Sequence, residues 1–198
     1  MISRILRISL LAWLTMQLAG CGINNIPTAD EQVKAAWAQV ENQYQRRADL
    51  IPNLVKTVSA YAKHEKDTLT AVTDARARVG SIQMGKDLLN DPAAMQKFIA
   101  AQDQLKGALS RLMLVSERYP DLKANQNFLA LQSQLEGTEN RISVARRDFI
   151  AAVQRYNTEI RTFPGRIWHS VLYSDMKVRD TYEATSTNAE QAPEVNFQ

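Results

Sequence analysis

Apolar and aromatic residues recur along most of the chain at alternating intervals of three and four, the spacing of a helical seam rather than of strands. The first run puts Trp37, Val40, Tyr44, Ile51, Leu54, Val58 and Tyr61 on one stripe, with Arg47 in the single slot that lacks an apolar side chain. It begins near Val33 and, after a four-residue offset at Glu65, resumes at Leu69, Val72 and Val79, the mark of a stutter within one long helix. Gly80 and Gly85 close it, and a linker follows to about Asn90. A second run, Met95, Phe98, Leu105, Leu109, Leu112 and Tyr119, has Gln102 and Ser116 as polar members. Asp91 followed by Pro92 predicts its start, a capping side chain before a residue suited to the first helical position, and Tyr119 followed by Pro120 predicts its end. The third run is the most regular: Phe128, Leu131, Leu135, Thr138, Ile142, Ala145, Phe149, Ala152 and Tyr156, stopping at Phe163 and Pro164. The short connection Asp121 to Asn125 makes the second and third helices antiparallel neighbours. Ile167, Trp168, Val171 and Leu172 give Arg166 to Tyr173 one apolar face and predict a brief closing helix. The pattern therefore predicts an all-α, antiparallel up-and-down bundle of three to four helices.

Pro52 tests that picture. A helix from Glu31 to Gly80 would be about 75 Å long, against about 42 Å for one from Pro92 to Tyr119. Pro52 withdraws the amide that would bond the carbonyl of Ala48 and crowds that carbonyl, costing about 3 kcal/mol or more in a straight helix. Either the chain reverses between Asp49 and Pro52, giving four helices of similar length, or the first helix stays long and kinked and its lower half binds something else. The apolar register runs through Pro52 without a break and puts it on the outer face. Descending the second helix from Gly80 would bring the Asp121 to Asn125 turn beside Pro52. The polar seam residues Arg47, Glu65, Gln102 and Thr138 need partners across the bundle or water, because an unpaired buried charge is costly. They read as a layer that fixes register, with a small-ligand site as the alternative.

The N terminus supplies a compartment. Arg4 and Arg7 precede an apolar core of 11 residues, Ile8 to Leu18, which is short of the roughly 20 a spanning helix requires. Leu18, Ala19 and Gly20 then stand directly before Cys21, and this resembles a bacterial lipobox. That resemblance implies cleavage between Gly20 and Cys21 and acylation of Cys21, with enough acyl chains for stable anchoring. Gly22 lacks the acidic character associated with inner-membrane retention, which favours the outer membrane and a body facing the periplasm. The predicted division is a lipoprotein signal peptide over 1–20, a tether over 21–30 capped at Thr28 or Asp30, a helical bundle over 31–182 and a flexible polar tail over 183–198.

Of the +3 formal charge, Arg4 and Arg7 supply two, so the mature chain is near neutral and offers no electrostatic footprint for nucleic acid. One cysteine excludes an intramolecular disulfide and a four-thiolate metal site. His64 and Glu65 lack a second histidine one turn on, where Thr68 stands, and His169 is the only other histidine. No Gly-rich phosphate loop, haem-attachment motif or serine elbow is present. No catalytic residue, metal or cofactor is expected.

The strings RRADLIPNLV (Arg46 to Val55), YAKHEKDTL (Tyr61 to Leu69), YPDLKANQNFLALQSQLEGTENRI (Tyr119 to Ile142), ARRDF (Ala145 to Phe149), YNTEIRTFP (Tyr156 to Pro164) and APEVNF (Ala192 to Phe197) resemble the LemA family in order and over nearly the whole mature chain. The resemblance implies a membrane-anchored helical bundle with no established enzymatic activity. Two departures stand out: family members usually carry a spanning helix where this chain has a lipobox, and the usual Gly-Phe-rich segment after Phe-Pro reads VLYSDMK here. The expected function is a non-enzymatic envelope scaffold or interaction module, with a self-associating coiled coil or a ligand-binding bundle as alternatives. Its partners would be the membrane, through the lipid anchor, an envelope or membrane protein, and a second copy. The candidate partner surface, drawn from these motifs, comprises Arg46, Asp49, Asn53, Asp121, Lys123, Asn125, Asn127, Glu139, Asn140 and Arg141.

Overall fold

A computed structural model describes residues 22–82 and 88–180. The predicted signal over 1–20, its Gly20–Cys21 cleavage site and the tail over 183–198 lie outside the described residues. Among these there are six α-helices: α1 (Asn25–Tyr61), α2 (Lys66–Ser81), α3 (Pro92–Ser116), α4 (Pro120–Lys123), α5 (Gln126–Arg161) and α6 (Gly165–Leu172), with a 3-10 turn at Leu88–Asn90. The all-α, up-and-down reading holds. α1 rises, α2 descends, α3 rises again and α5 descends along the full length of α1.

The stop and start signals act as the residues require. Asp91 caps α3, its Oδ1 accepting from the amides of Ala93 (2.9 Å) and Ala94 (3.1 Å). Asn125 caps α5 by accepting from the amide of Phe128 at 3.0 Å. The seam positions are the core: Trp37, Val40, Tyr44, Ile51, Leu54 and Val58 of α1 and Leu135, Ile142, Phe149 and Tyr156 of α5 are all buried.

Three expectations are corrected. The helix starts at Asn25, inside the stretch predicted to be a tether, because Ile26 is fully buried against the bundle and Asp30 is buried too; Asp30 is therefore an interior residue of α1 and not its cap. The first helix neither turns at Pro52 nor runs on to Gly80. It passes through Pro52, which is exposed, and the chain reverses over residues 62–65 instead. What reads as a stutter is thus a corner, where Ala62 is buried and Glu65 accepts from the Tyr119 hydroxyl (3.2 Å) and pairs with Arg118 (3.0 Å). Accordingly the Asp121 to Asn125 connection meets the end of α1 rather than Pro52: Asn125 Nδ2 donates to the Tyr61 hydroxyl at 2.9 Å.

The penalty of Pro52 is met from the next helix. Arg76 of α2 donates its Nε to the Ala48 carbonyl at 3.0 Å, replacing the amide that the proline ring removes. Descending α2 ends at Ser81, so four helices surround the half of the bundle next to the corner over residues 62–65 (the distal half) and three the half next to the start of α1 (the proximal half). There the Leu88–Asn90 turn and the segment after α6 occupy the fourth flank.

Candidate functional site

The interior is divided by one polar layer. The distal core contains Ile51, Leu54, Leu105 and Leu135; the proximal core contains Trp37, Tyr44, Phe98, Ile142 and Phe149. Trp37 meets Phe98 edge-on (centroids 5.8 Å apart) and Phe149 at a tilt (5.2 Å), while Tyr44 meets Phe98 edge-on at 5.3 Å. Between the cores lies Arg47, 2% exposed. Its Nη1 donates to Glu139 Oε1 of α5 at 2.6 Å; its Nη2 donates to the side-chain oxygen of Gln102 on α3 and to the Gln102 carbonyl at 3.3 Å. The guanidinium lies 5.1 Å from the Tyr44 ring centroid. Thr138 turns its hydroxyl back to the Gln134 carbonyl (2.7 Å). Three helices are therefore locked in register by one side chain, and both terminal nitrogens of Arg47 are engaged within the protein.

This geometry redistributes the predicted partner surface. Glu139 is committed to Arg47 and belongs to the interior layer. Asn125 is a helix cap bonded to Tyr61. Asp121, Lys123 and Asn127 are exposed at the distal end, with Lys123 paired to Glu117 at 2.5 Å. Arg46, Asp49 and Asn53 are exposed on α1, where Asp49 accepts from Gln45 (2.7 Å) and the Asn53 carbonyl from Thr57 (2.8 Å). From Arg47 to Tyr61 is about 21 Å of helix, so the mid-bundle and distal residues form two separate surfaces.

Asn140 and Arg141 belong to the mid-bundle surface and line a groove of about 370 Å³ between α1 and α5, together with Ala36, Gln39, Gln43, Val144, Ala145 and Asp148. Small residues let the groove approach the backbone, Val144 is 46% exposed, and the buried Oε1 of Gln43 has no hydrogen-bond partner.

A second constellation escaped the sequence. Beyond α6 the chain returns along α5 as a strap over residues 173–180. Asn157 holds the backbone of Arg179 twice, accepting from its amide (2.9 Å) and donating to its carbonyl (2.7 Å), and the Tyr156 hydroxyl donates to the Lys177 carbonyl (3.0 Å). Arg179 lies 5.5 Å from the Tyr156 ring centroid and pairs with Asp30 at 2.7 Å; Lys34 pairs with the other Asp30 oxygen at 2.8 Å. Burial opposes the charge of Asp30, but the hydrogen bonds and positive charges of Lys34 and Arg179 outweigh it and hold the carboxyl below its ordinary range. For Tyr156 burial dominates, with the Asp30 charge in support, and the phenol is pushed up. The strap, the Leu88–Asn90 turn and the start of α3 border a wide groove of about 1420 Å³. The only hint in the sequence was an isolated Asp30 in a segment otherwise read as a tether. Among the described residues, no group of three or more His, Cys, Asp or Glu is placed to hold a metal.

Residues 36–197 match the sequence model of the LemA family. The chain belongs to the LemA family. Among curated relatives, Magnetosome protein MamQ 2 of Paramagnetospirillum magneticum is 29% identical over 157 residues, covering 71% of this chain and 58% of the relative. Magnetosome protein MamQ of Magnetospirillum gryphiswaldense is 28% identical over 175 residues, covering 79% and 63%. The LemA-family chain described here thus spans about three fifths of the length of these relatives. No described helix is long and apolar enough to cross a membrane.

Proposed function

We propose that this LemA-family protein is a non-enzymatic scaffold of the bacterial cell envelope, acylated at Cys21, facing the periplasm from the outer membrane, whose α1–α5 groove receives a helical segment of another envelope protein. The groove is the observation that carries the reading. Its floor of small residues, the exposed Val144, the charged Arg141 and Asp148 and the unsatisfied Gln43 Oε1 together offer an apolar seat with an orienting polar contact, which is how amphipathic helices are taken up. The alternative of a small-ligand site at the polar layer has the buried Arg47 Nε and Gln102 Nε2, which lack hydrogen-bond partners, in its favour, but both terminal nitrogens of Arg47 are already engaged by Glu139 and Gln102. A photo-crosslinking residue at Val144 in intact cells should yield a discrete adduct with another protein, weakened by Arg141→Glu. Adducts with lipid and self alone would overturn the scaffold. For the anchor, Cys21→Ala should abolish processing and membrane retention; unchanged behaviour would remove it.

A further inference from the structure

The large apolar side chains left at the surface are unevenly placed. Leu114 and Leu129 stand singly along the long helices, as exposed apolar residues commonly do, and Val144 belongs to the α1–α5 groove. Phe163 (81% exposed), Ile167 (50%), Val171 (68%) and Leu172 (50%) instead come together on the α5–α6 corner and α6. Ile167, Trp168, Val171 and Leu172 fall within about 140° on one face of α6, where Trp168 packs against the proximal core while the other three stay at least half exposed, and Phe163 precedes the helix at the corner. The core thus covers only part of the apolar face of α6. In sequence, Arg161, Arg166 and Lys177 outnumber Asp175 between residues 161 and 177, and at the corner itself Glu159 lies beside Gly165 and accepts from Asn25.

The described chain also begins at that corner. Asn25 Nδ2 donates to Glu159 Oε1 at 3.0 Å, and a Cβ built on Gly22 would lie 3.4 Å from Pro164 Cγ. Gly22 takes φ +96, a conformation that glycine adopts without strain. Cys21 directly precedes it, behind the apolar run Ile8 to Leu18. The proposed acylation site is thus the residue before a glycine that lies against the α5–α6 corner.

We infer that this end of the bundle docks on an anionic phospholipid surface, with Phe163, Ile167, Val171 and Leu172 entering the headgroup boundary and Arg161, Arg166 and Lys177 meeting lipid phosphates. This rests on the anchored reading proposed above. A short amphipathic helix beside an acyl chain is the two-signal arrangement that turns a tether into a fixed orientation. The bundle axis would then stand away from the membrane, presenting the α1–α5 groove and the distal end to the periplasm.

The test uses the full chain, processed and acylated in cells, with a polarity-sensitive fluorophore on Val171→Cys; acylation leaves this as the free thiol. The protein is reconstituted in phosphatidylethanolamine–phosphatidylglycerol vesicles bearing brominated acyl chains, with Leu114→Cys as the distal control and Phe163→Cys as a second corner site outside any helix. Emission at positions 171 and 163 should shift to the blue and be quenched several-fold more than at 114. Protein that floats with the vesicles while all three probes report water overturns the docking and leaves the anchor standing. A blue shift without bromine quenching identifies a second copy or another protein on α6 and also overturns it. Protein that fails to float overturns the anchor and the docking with it.

Discussion

The hydrogen bond from Arg76 to the Ala48 carbonyl turns an apparent sequence defect into a coupling between two helices, and its strength can be measured. Arg76→Ala would leave that carbonyl, only partly solvated, without the donor that Pro52 already denies it. A hydrogen bond from a charged donor contributes about 1.5–3 kcal/mol, and Arg76 and Ala48 are only half-buried, so a loss of about 1.5 kcal/mol is expected. In a Pro52→Ala background the amide of residue 52 can bond Ala48, and the same Arg76→Ala should then cost no more than about 0.5 kcal/mol, leaving a coupling of about 1 kcal/mol. Urea unfolding of the four proteins by far-UV circular dichroism reads the cycle. Equal costs of Arg76→Ala in both backgrounds would refute the assignment and leave Arg76 as a surface residue near Pro52.

Glu139→Ala should destabilise by about 2 kcal/mol, less than the ~3–5 kcal/mol of breaking a fully buried pair because the Glu139 side chain is 34% exposed, and Arg47→Met in the same chain should restore most of the loss, as denaturant titration would show. Gly165→Ala should cost about 2 kcal/mol or more, since its Cβ would lie 2.1 Å from the Glu159 carbonyl oxygen; a lowered Tm with faster proteolysis of the 173–180 strap is the expected reading. The depressed Asp30 carboxyl stabilises the fold above its unfolded pKa of about 3.9, and this contribution is lost as pH falls through its lower folded value. Asp30→Asn should therefore be less stable at neutral pH and show a shallower acid limb in pH-dependent unfolding, whereas parallel limbs would contradict the Asp30–Arg179 pairing.

Periodicity, caps and stops settled the helical class, the core faces and several helix ends, because these depend on residues within a few turns of one another: Asp91, Pro120 and Pro164 act locally, and a seam of Trp37 to Val58 is buried whichever helix covers it. The corner over residues 62–65 was illegible, since it contains no glycine or proline and is made by Glu65 bonding to Arg118 and Tyr119, more than fifty residues on. The same holds for the continuity of α1 through Pro52, decided by Arg76, and for the interior role of Glu139, decided by Arg47. Asp30 read as a cap until Arg179, which follows it by 149 residues, gave it a buried partner. The sequence by itself determined which residues want to be inside and where α3 begins; only the tertiary structure decided where α1 and α2 begin and which charges meet, because a buried ion or an orphaned carbonyl is stabilised by groups that chain order does not bring near.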